Sequence, residues 1–206
     1  MTTGHGEGYH ADTARIEALS DGVFAIAITL LIIEIGVPHV DDGRGLGEAL
    51  RELWPSYLGF SLSFLTIGVM WVNHHEMFKD IERADQKLRV LNLLLLLCIS
   101  FVPFPTAVLA EYLRDDEEAL VATLAYGMTF AVTAVVFNLL WLYVATHRDM
   151  IDEHVSEARI RSRTRRYLGG GPLYVVGLGL AFITPWLAVG LWWAMAVFFL
   201  LPLYDE

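Results

Sequence analysis

Arg15-Ile16-Glu17-Ala18-Leu19-Ser20-Asp21-Gly22-Val23-Phe24-Ala25-Ile26-Ala27-Ile28-Thr29-Leu30-Leu31-Ile32-Ile33-Glu34-Ile35 decides how the rest of the chain is read. From Gly22 to Ile33 it carries no charge, and with its flanks it reaches the roughly 20 helical residues that cross a bilayer core of about 30 Å. Arg15 and Asp21 nevertheless stand just ahead of the apolar run, and Thr29 stands inside it. A helix that only anchors a chain in lipid needs none of these groups, since ionisable residues in a membrane are costly and tend to be paired or used.

The rest of the 206 residues agrees: 55% are hydrophobic and they come in long runs, with a mean hydropathy of +0.49. That composition predicts an all-α integral membrane protein. The formal charge of −10 falls in the loops and gives no basic surface for nucleic acid. One cysteine, Cys98, lies within an apolar run, so no intramolecular disulfide is expected. Residues 1 to 14, with His5, Glu7, His10 and Asp12, lack the basic start and apolar centre of a signal peptide, so the first span is expected to be retained.

Six spans are expected in a single membrane domain over residues 1–206, at about 14–37, 54–75, 88–109, 120–146, 167–183 and 186–203. Pro38 ends the first, and the polar stretch Val40-Asp41-Asp42-Gly43-Arg44-Gly45 follows as a loop. Pro103 and Pro105 bend the third near its end. A charged connection, Arg148 to Arg166, precedes the fifth, which opens at Gly169-Gly170-Gly171-Pro172, and Thr184-Pro185 joins the fifth tightly to the sixth. Gly177 and Gly179 are expected to permit close helix contact, and Tyr174, Trp186, Trp192, Trp193 and Tyr204 to anchor the last two spans at the membrane interfaces.

Basic residues set the orientation. With the N-terminus cytoplasmic, eleven of the fourteen Lys and Arg residues fall inside, leaving Arg44, Arg51 and Arg114 outside. Both termini are therefore expected in the cytoplasm, with the protein in the plasma membrane. The outer loops carry an acidic rim that includes Asp41, Asp42, Glu48, Glu111 and Asp115, which would concentrate cations at a mouth.

At about 100° per residue, Gly22, Ile26, Thr29 and Ile33 form a stripe about 60° wide with Leu30 on its flank, while Asp21 points about 100° away. The stripe suits a meeting of symmetry copies about an axis, or simple packing against lipid; Asp21 is aimed at neighbouring helices. The second span brings Trp71 and His74 to similar depth, so a buried polar cluster of Arg15, Ser20, Asp21, Trp71 and His74 is expected, joined by Asn92 from the third span. Such a cluster could lock helices together or take part in gating. His74-His75-Glu76 is not a metal site on this pattern, because adjacent helical residues diverge and no second ligand group accompanies them. No catalytic constellation is evident, so an enzyme is not expected and no cofactor is implied.

These residues resemble the bacterial branch of the transmembrane protein 175 family of potassium channels, marked by Arg-x-x-x-Phe-Ser-Asp at the opening of the first helix. Here the motif reads Arg15-x-x-x-Leu19-Ser20-Asp21, with leucine in place of phenylalanine. Trp71-Val72-Asn73-His74-His75-Glu76-Met77-Phe78 resembles the end of the family's second helix, and Asn92 with Pro103-Phe104 its third. The likeness is close to about Glu111 and rests on span count beyond. It implies a homotetramer of six-helix subunits, the four first helices lining a central pore, without a re-entrant pore loop. The constriction would fall at Ile26, Leu30 and Ile33, and Thr29 would supply the hydroxyl that favours potassium over sodium. Arg15, Ser20, Asp21, Trp71, His74 and Asn92 would form the supporting polar network. Permeant K+ is implied, with Na+ and larger monovalent cations as further candidates; the partners would be the other subunits, these cations and the bilayer. Two alternatives stand beside this: a proton-coupled transporter using Asp21 and His74, and a non-conducting scaffold anchored to lipid through Arg159 to Arg166.

Overall fold

A computed structural model describes residues 4–38 and 45–200, with side chains from Thr13 onward in the first stretch. The expected loop residues Asp41, Asp42 and Arg44, the anchor Tyr204 and the N-terminal His5, Glu7, His10 and Asp12 lie outside the described positions or side chains.

The described residues form eight α-helices: α1 Gly4–Leu30, α2 Leu46–Glu52, α3 Trp54–Phe78, α4 Gln86–Phe101, α5 Pro103–Tyr112, α6 Ala119–Thr146, α7 Glu157–Ala181 and α8 Pro185–Leu200. A 3₁₀ turn, Leu31–Glu34, tightens the end of α1. Four stretches are long and apolar enough to cross a membrane: Thr13–Glu34, Trp54–Phe78, Gln86–Tyr112 and Ala119–Thr146. Local chemistry sets several boundaries. Pro55 opens α3 where a missing N–H costs nothing. The Asp85 side chain accepts from Leu88 N at 2.8 Å and caps α4. Pro103 splits the third stretch into α4 and α5, and Thr106 returns its hydroxyl to the Val102 carbonyl at 2.9 Å.

α6 is the hub, packing on α4, α5, α7 and α8, while α1 lies against α3 and α4. Ser63 on α3 bonds Thr106 on α5 at 2.8 Å and Tyr126 on α6 at 3.1 Å. This buried rung ties three helices where lipid would offer no partner. At the end of the bundle rich in Arg and Lys, Ile81 and Ile151 form an antiparallel bridge. Beside it, Arg163 Nη1 donates to the Glu76 carbonyl and reaches Asp80 Oδ2, each at 2.6 Å, with Arg159 3.4 Å from the same carboxylate. Burial pushes the Asp80 carboxyl up against the opposing pull of Arg163 and Arg159.

Several sequence expectations change. The charged connection before the fifth span is largely helical: α7 starts at Glu157, capped by Ser156 accepting from Arg159 N at 3.3 Å. Its first turns are held by ion pairs to Asp80 and Glu76, partners far away in sequence. The Gly-Gly-Gly-Pro stretch consequently lies inside α7, where Pro172 removes one backbone donor without ending the helix. Tyr174 and Trp192 are not interfacial anchors, being 4% and 1% exposed. The Trp192 indole instead fills a slot between Gly127 and Gly177, where a Cβ would meet ring atoms at 2.4 and 2.2 Å. Gly179 faces open space.

Candidate ion pathway and its polar support

α1 divides sharply into two faces. Thr13, Ser20, Phe24, Ala27 and Leu31 are buried against α3 and α4. The opposite face is bare in the single subunit: Leu19 is 53% exposed, Ile26 60%, Leu30 41% and Ile33 70%. Gly22 belongs to the same face, with nothing within 4 Å of where a Cβ would stand. The 3₁₀ turn brings Ile33 close to the line of Leu30, since residues three apart eclipse in that geometry.

Thr29 is exposed on this face. Its hydroxyl donates to the Ile26 carbonyl at 2.9 Å, so the proton is committed to the helix and the oxygen lone pairs are left for a cation. Arg15 is also exposed, and its spacing explains why: it falls within about 20° of Gly22 and Ile26 around the helix.

Behind this face, the six residues expected as one network resolve into two links, with Arg15 outside both. Ser20 Oγ donates to the Ile16 carbonyl at 2.8 Å and can then only accept. Asn92 Nδ2 donates to it at 3.0 Å, which turns Asn92 Oδ1 toward His74 Nε2, 2.9 Å away. His74 is therefore the Nε2–H donor of an ordered chain joining α3, α4 and α1. Its ring is fully buried, 5.4 Å from that of Phe24 and 4.4 Å from that of Phe78 between centroids.

The second link is Trp71 Nε1 donating to Asp21 Oδ1 at 2.8 Å. Ser20 and Asp21 diverge by about 100° on one helix, so they address different neighbours. No hydrogen bond joins Asp21 to His74 among the described residues. A third contact was missed from sequence: His75 Nδ1 lies 2.7 Å from Glu17 Oε1, a further α3–α1 tie. The only signal for it was an acidic residue facing an adjacent-histidine pair, and on a helix adjacent positions look unrelated.

A family profile described as "Endosomal/lysosomal potassium channel TMEM175" matches residues 15–103. The chain is 46% identical over 193 residues to a potassium channel of Chamaesiphon minutus, covering 93% of this chain and 95% of that one. It is 44% identical over 173 residues to a potassium channel of Streptomyces collinus, covering 84% of each. The fold is similar to the crystal structure of a lysosomal potassium-selective channel TMEM175 homolog from Chamaesiphon minutus, with a TM-score of 0.84 and 46% identity over 92% of this chain and 96% of that one. With its several membrane-crossing helices, this chain is a multi-pass membrane protein and belongs to the TMEM175 family.

Proposed function

We propose that the protein is a passive potassium-preferring cation channel built from four copies of this chain, whose first helices surround a central pore. The observation that carries the reading is the bare face of α1. Ile26, Leu30 and Ile33 stand exposed opposite a face closed by Phe24, Ala27 and Leu31, and the same bare face carries the Thr29 oxygen and Arg15. Hydrocarbon would cover the apolar residues equally well, but it offers no partner to the Thr29 oxygen or the Arg15 guanidinium. Four copies brought together on this face would set rings of apolar side chains around an axis, a constriction of the kind that gates by dewetting, with Thr29 oxygens beside it.

In this reading each subunit spans the membrane six times as one domain. The apolar part of α7 and the 16-residue α8 complete the four longer spans, no re-entrant loop forms the filter, and both termini lie in the cytoplasm of a plasma-membrane protein. Ile26 is the gate, Thr29 favours K+ over Na+, and larger monovalent cations are further candidates for permeation. The Ser20–Asn92–His74 chain and the Trp71–Asp21 bond hold α1 at fixed rotation so that this face stays on the axis; neither needs to touch an ion.

Substituted-cysteine labelling tests the assignment. Single cysteines at Ile26 or Ile33, in a Cys98→Ser background, are expected to react with a small water-soluble methanethiosulfonate cation and to lose potassium flux on reaction. Labelling only by a lipid-soluble maleimide, with flux intact, would place that face against hydrocarbon and refute the pore.

A further inference from the structure

A half-open cleft of about 90 Å³ lies between α3, α6, α7 and α8, on the side of the bundle away from α1. Its walls are apolar, formed by Val69, Met70, Ala134, Phe137, Met195 and Phe199. Thr66, Asn73, Asn138, Arg166, Tyr167 and Tyr174 interrupt them, and two polar atoms among these are unmet. Arg166 Nε is a buried donor and Asn138 Oδ1 a buried acceptor, and neither has a hydrogen-bond partner among the described residues. Asn138 Nδ2 is already committed to the Ala134 carbonyl at 2.8 Å, so the bare oxygen is the atom left over. Among the described residues Arg166 also has no carboxylate within ion-pair distance, whereas Arg148, Arg159 and Arg163 on the same side are paired.

This combination calls for a specific kind of occupant. The volume exceeds the roughly 10–15 Å³ that one water requires, and water alone would leave the guanidinium charge uncompensated beside an apolar wall. The unmet groups ask for an anion that accepts from Arg166 and a hydroxyl that donates to Asn138, both attached to a hydrocarbon body. Arg166 sits where the charged first turns of α7 give way to its apolar part, the depth at which Arg side chains meet lipid headgroups. Gly170 and Gly171 keep the wall of α7 open: a Cβ at Gly170 would have nothing within 4 Å, and one at Gly171 only Asn138 Nδ2, at 3.9 Å.

We propose that this cleft seats an anionic glycerophospholipid of the phosphatidylglycerol class. Its phosphodiester pairs with Arg166, a headgroup hydroxyl donates to Asn138 Oδ1, and one acyl chain lies along the apolar walls. Met70 and Asn73 line the cleft on the helix that carries Trp71 and His74, so the lipid braces α3 from behind while α3 holds α1 in front.

The test is native mass spectrometry of the full-length protein after exchange with equimolar phosphatidylglycerol and phosphatidylcholine, comparing wild type with three variants. Arg166→Gln removes the charge, Gly170→Leu fills the cleft and leaves every charge in place, and Arg165→Gln alters an exposed neighbour outside the cleft. Wild type and Arg165→Gln are expected to retain phosphatidylglycerol over phosphatidylcholine. Retention should fall about tenfold in Arg166→Gln, the scale of one charge-assisted hydrogen bond, and comparably in Gly170→Leu. Equal retention of the two lipids by wild type, retention unchanged by both cleft variants, or an equal loss in Arg165→Gln would each overturn the proposal. The readout is bound lipid, so it stands or falls independently of ion flux.

Discussion

Replacing Asn92 with alanine is the perturbation that the geometry of the polar support makes most specific. The change deletes two bonds, His74 Nε2–H to Asn92 at 2.9 Å and Asn92 Nδ2–H to Ser20 at 3.0 Å. Interhelical side-chain bonds in membrane proteins contribute about 0.6 kcal/mol on average and up to about 1.7. The consequences for the two partners differ. Ser20 still donates to Ile16 and loses only an incoming bond, but the His74 N–H is left bare in a fully buried site enclosed by Phe24 and Phe78. An orphaned buried donor costs about 1–3 kcal/mol, which brings the total to about 3 kcal/mol. For a chain of this size 1 kcal/mol moves the melting temperature by about 2–4 °C, so Asn92→Ala should melt about 6–12 °C lower. Asp21→Asn keeps an acceptor for Trp71 at a more exposed site and should melt within about 2 °C of wild type, as expected for a single partly exposed bond. The assay is thermal unfolding of purified protein in one detergent at fixed concentration. If Asn92→Ala melts no lower than Asp21→Asn, the ordered chain is not what secures α1.

Three further outcomes follow from other parts of the molecule. Ile26→Asn places an amide on the bare face of α1 and is expected to raise potassium flux by wetting the constriction; unchanged flux through intact oligomers would remove Ile26 from the gate. Gly177→Ala drives a methyl to 2.2 Å from Trp192 Nε1, and the indole cannot retreat because Gly127 closes its other side. Destabilisation of about 1–3 kcal/mol is expected, and it should shrink in a Trp192→Leu background; equal costs in both backgrounds would show that the slot is not tight. His154 is held above its ordinary 6.5 by its bond to Asp152. Any stability it lends is present at pH below 6.5 and fades as the pH rises through the raised folded-state value. An NMR titration of His154 should show that value dropping toward the ordinary one in Asp152→Asn, and no drop would mean that the bond does not form in solution.

The first helix was the most legible part of the chain because its spacing encodes its environment directly. A period of 3.6 gathers Gly22, Ile26, Thr29 and Ile33 into one stripe before any neighbour is known, and the fold leaves that stripe bare while burying Ser20, Phe24, Ala27 and Leu31 opposite it. Membership of a single cluster was harder to read. Ser20 and Asp21 are adjacent in sequence, which suggests a shared site, yet adjacency on a helix means divergence, and they serve Asn92 and Trp71 separately. Arg15 carries the same lesson, since its register places it with the bare face. The second half of the chain was less legible because its determinants are distant. Nothing near Arg163 reveals that Asp80 and Glu76 await it, so a helical start was read as a connection. Trp192 looked like an interfacial anchor because tryptophan near a span end usually is one. Its slot is created by two glycines on other helices, which no local pattern exposes.

The most direct test of the channel reading is ion flux from purified protein in liposomes, driven first by a potassium gradient and then by a sodium gradient, with wild type beside Thr29→Ala. The account predicts passive potassium flux that needs no proton gradient and exceeds sodium flux, with the difference narrowed by Thr29→Ala because the cation loses an oxygen ligand at the constriction. Flux that requires a proton gradient would point instead to a transporter, and a potassium preference untouched by Thr29→Ala would take Thr29 and its face of α1 out of the pathway.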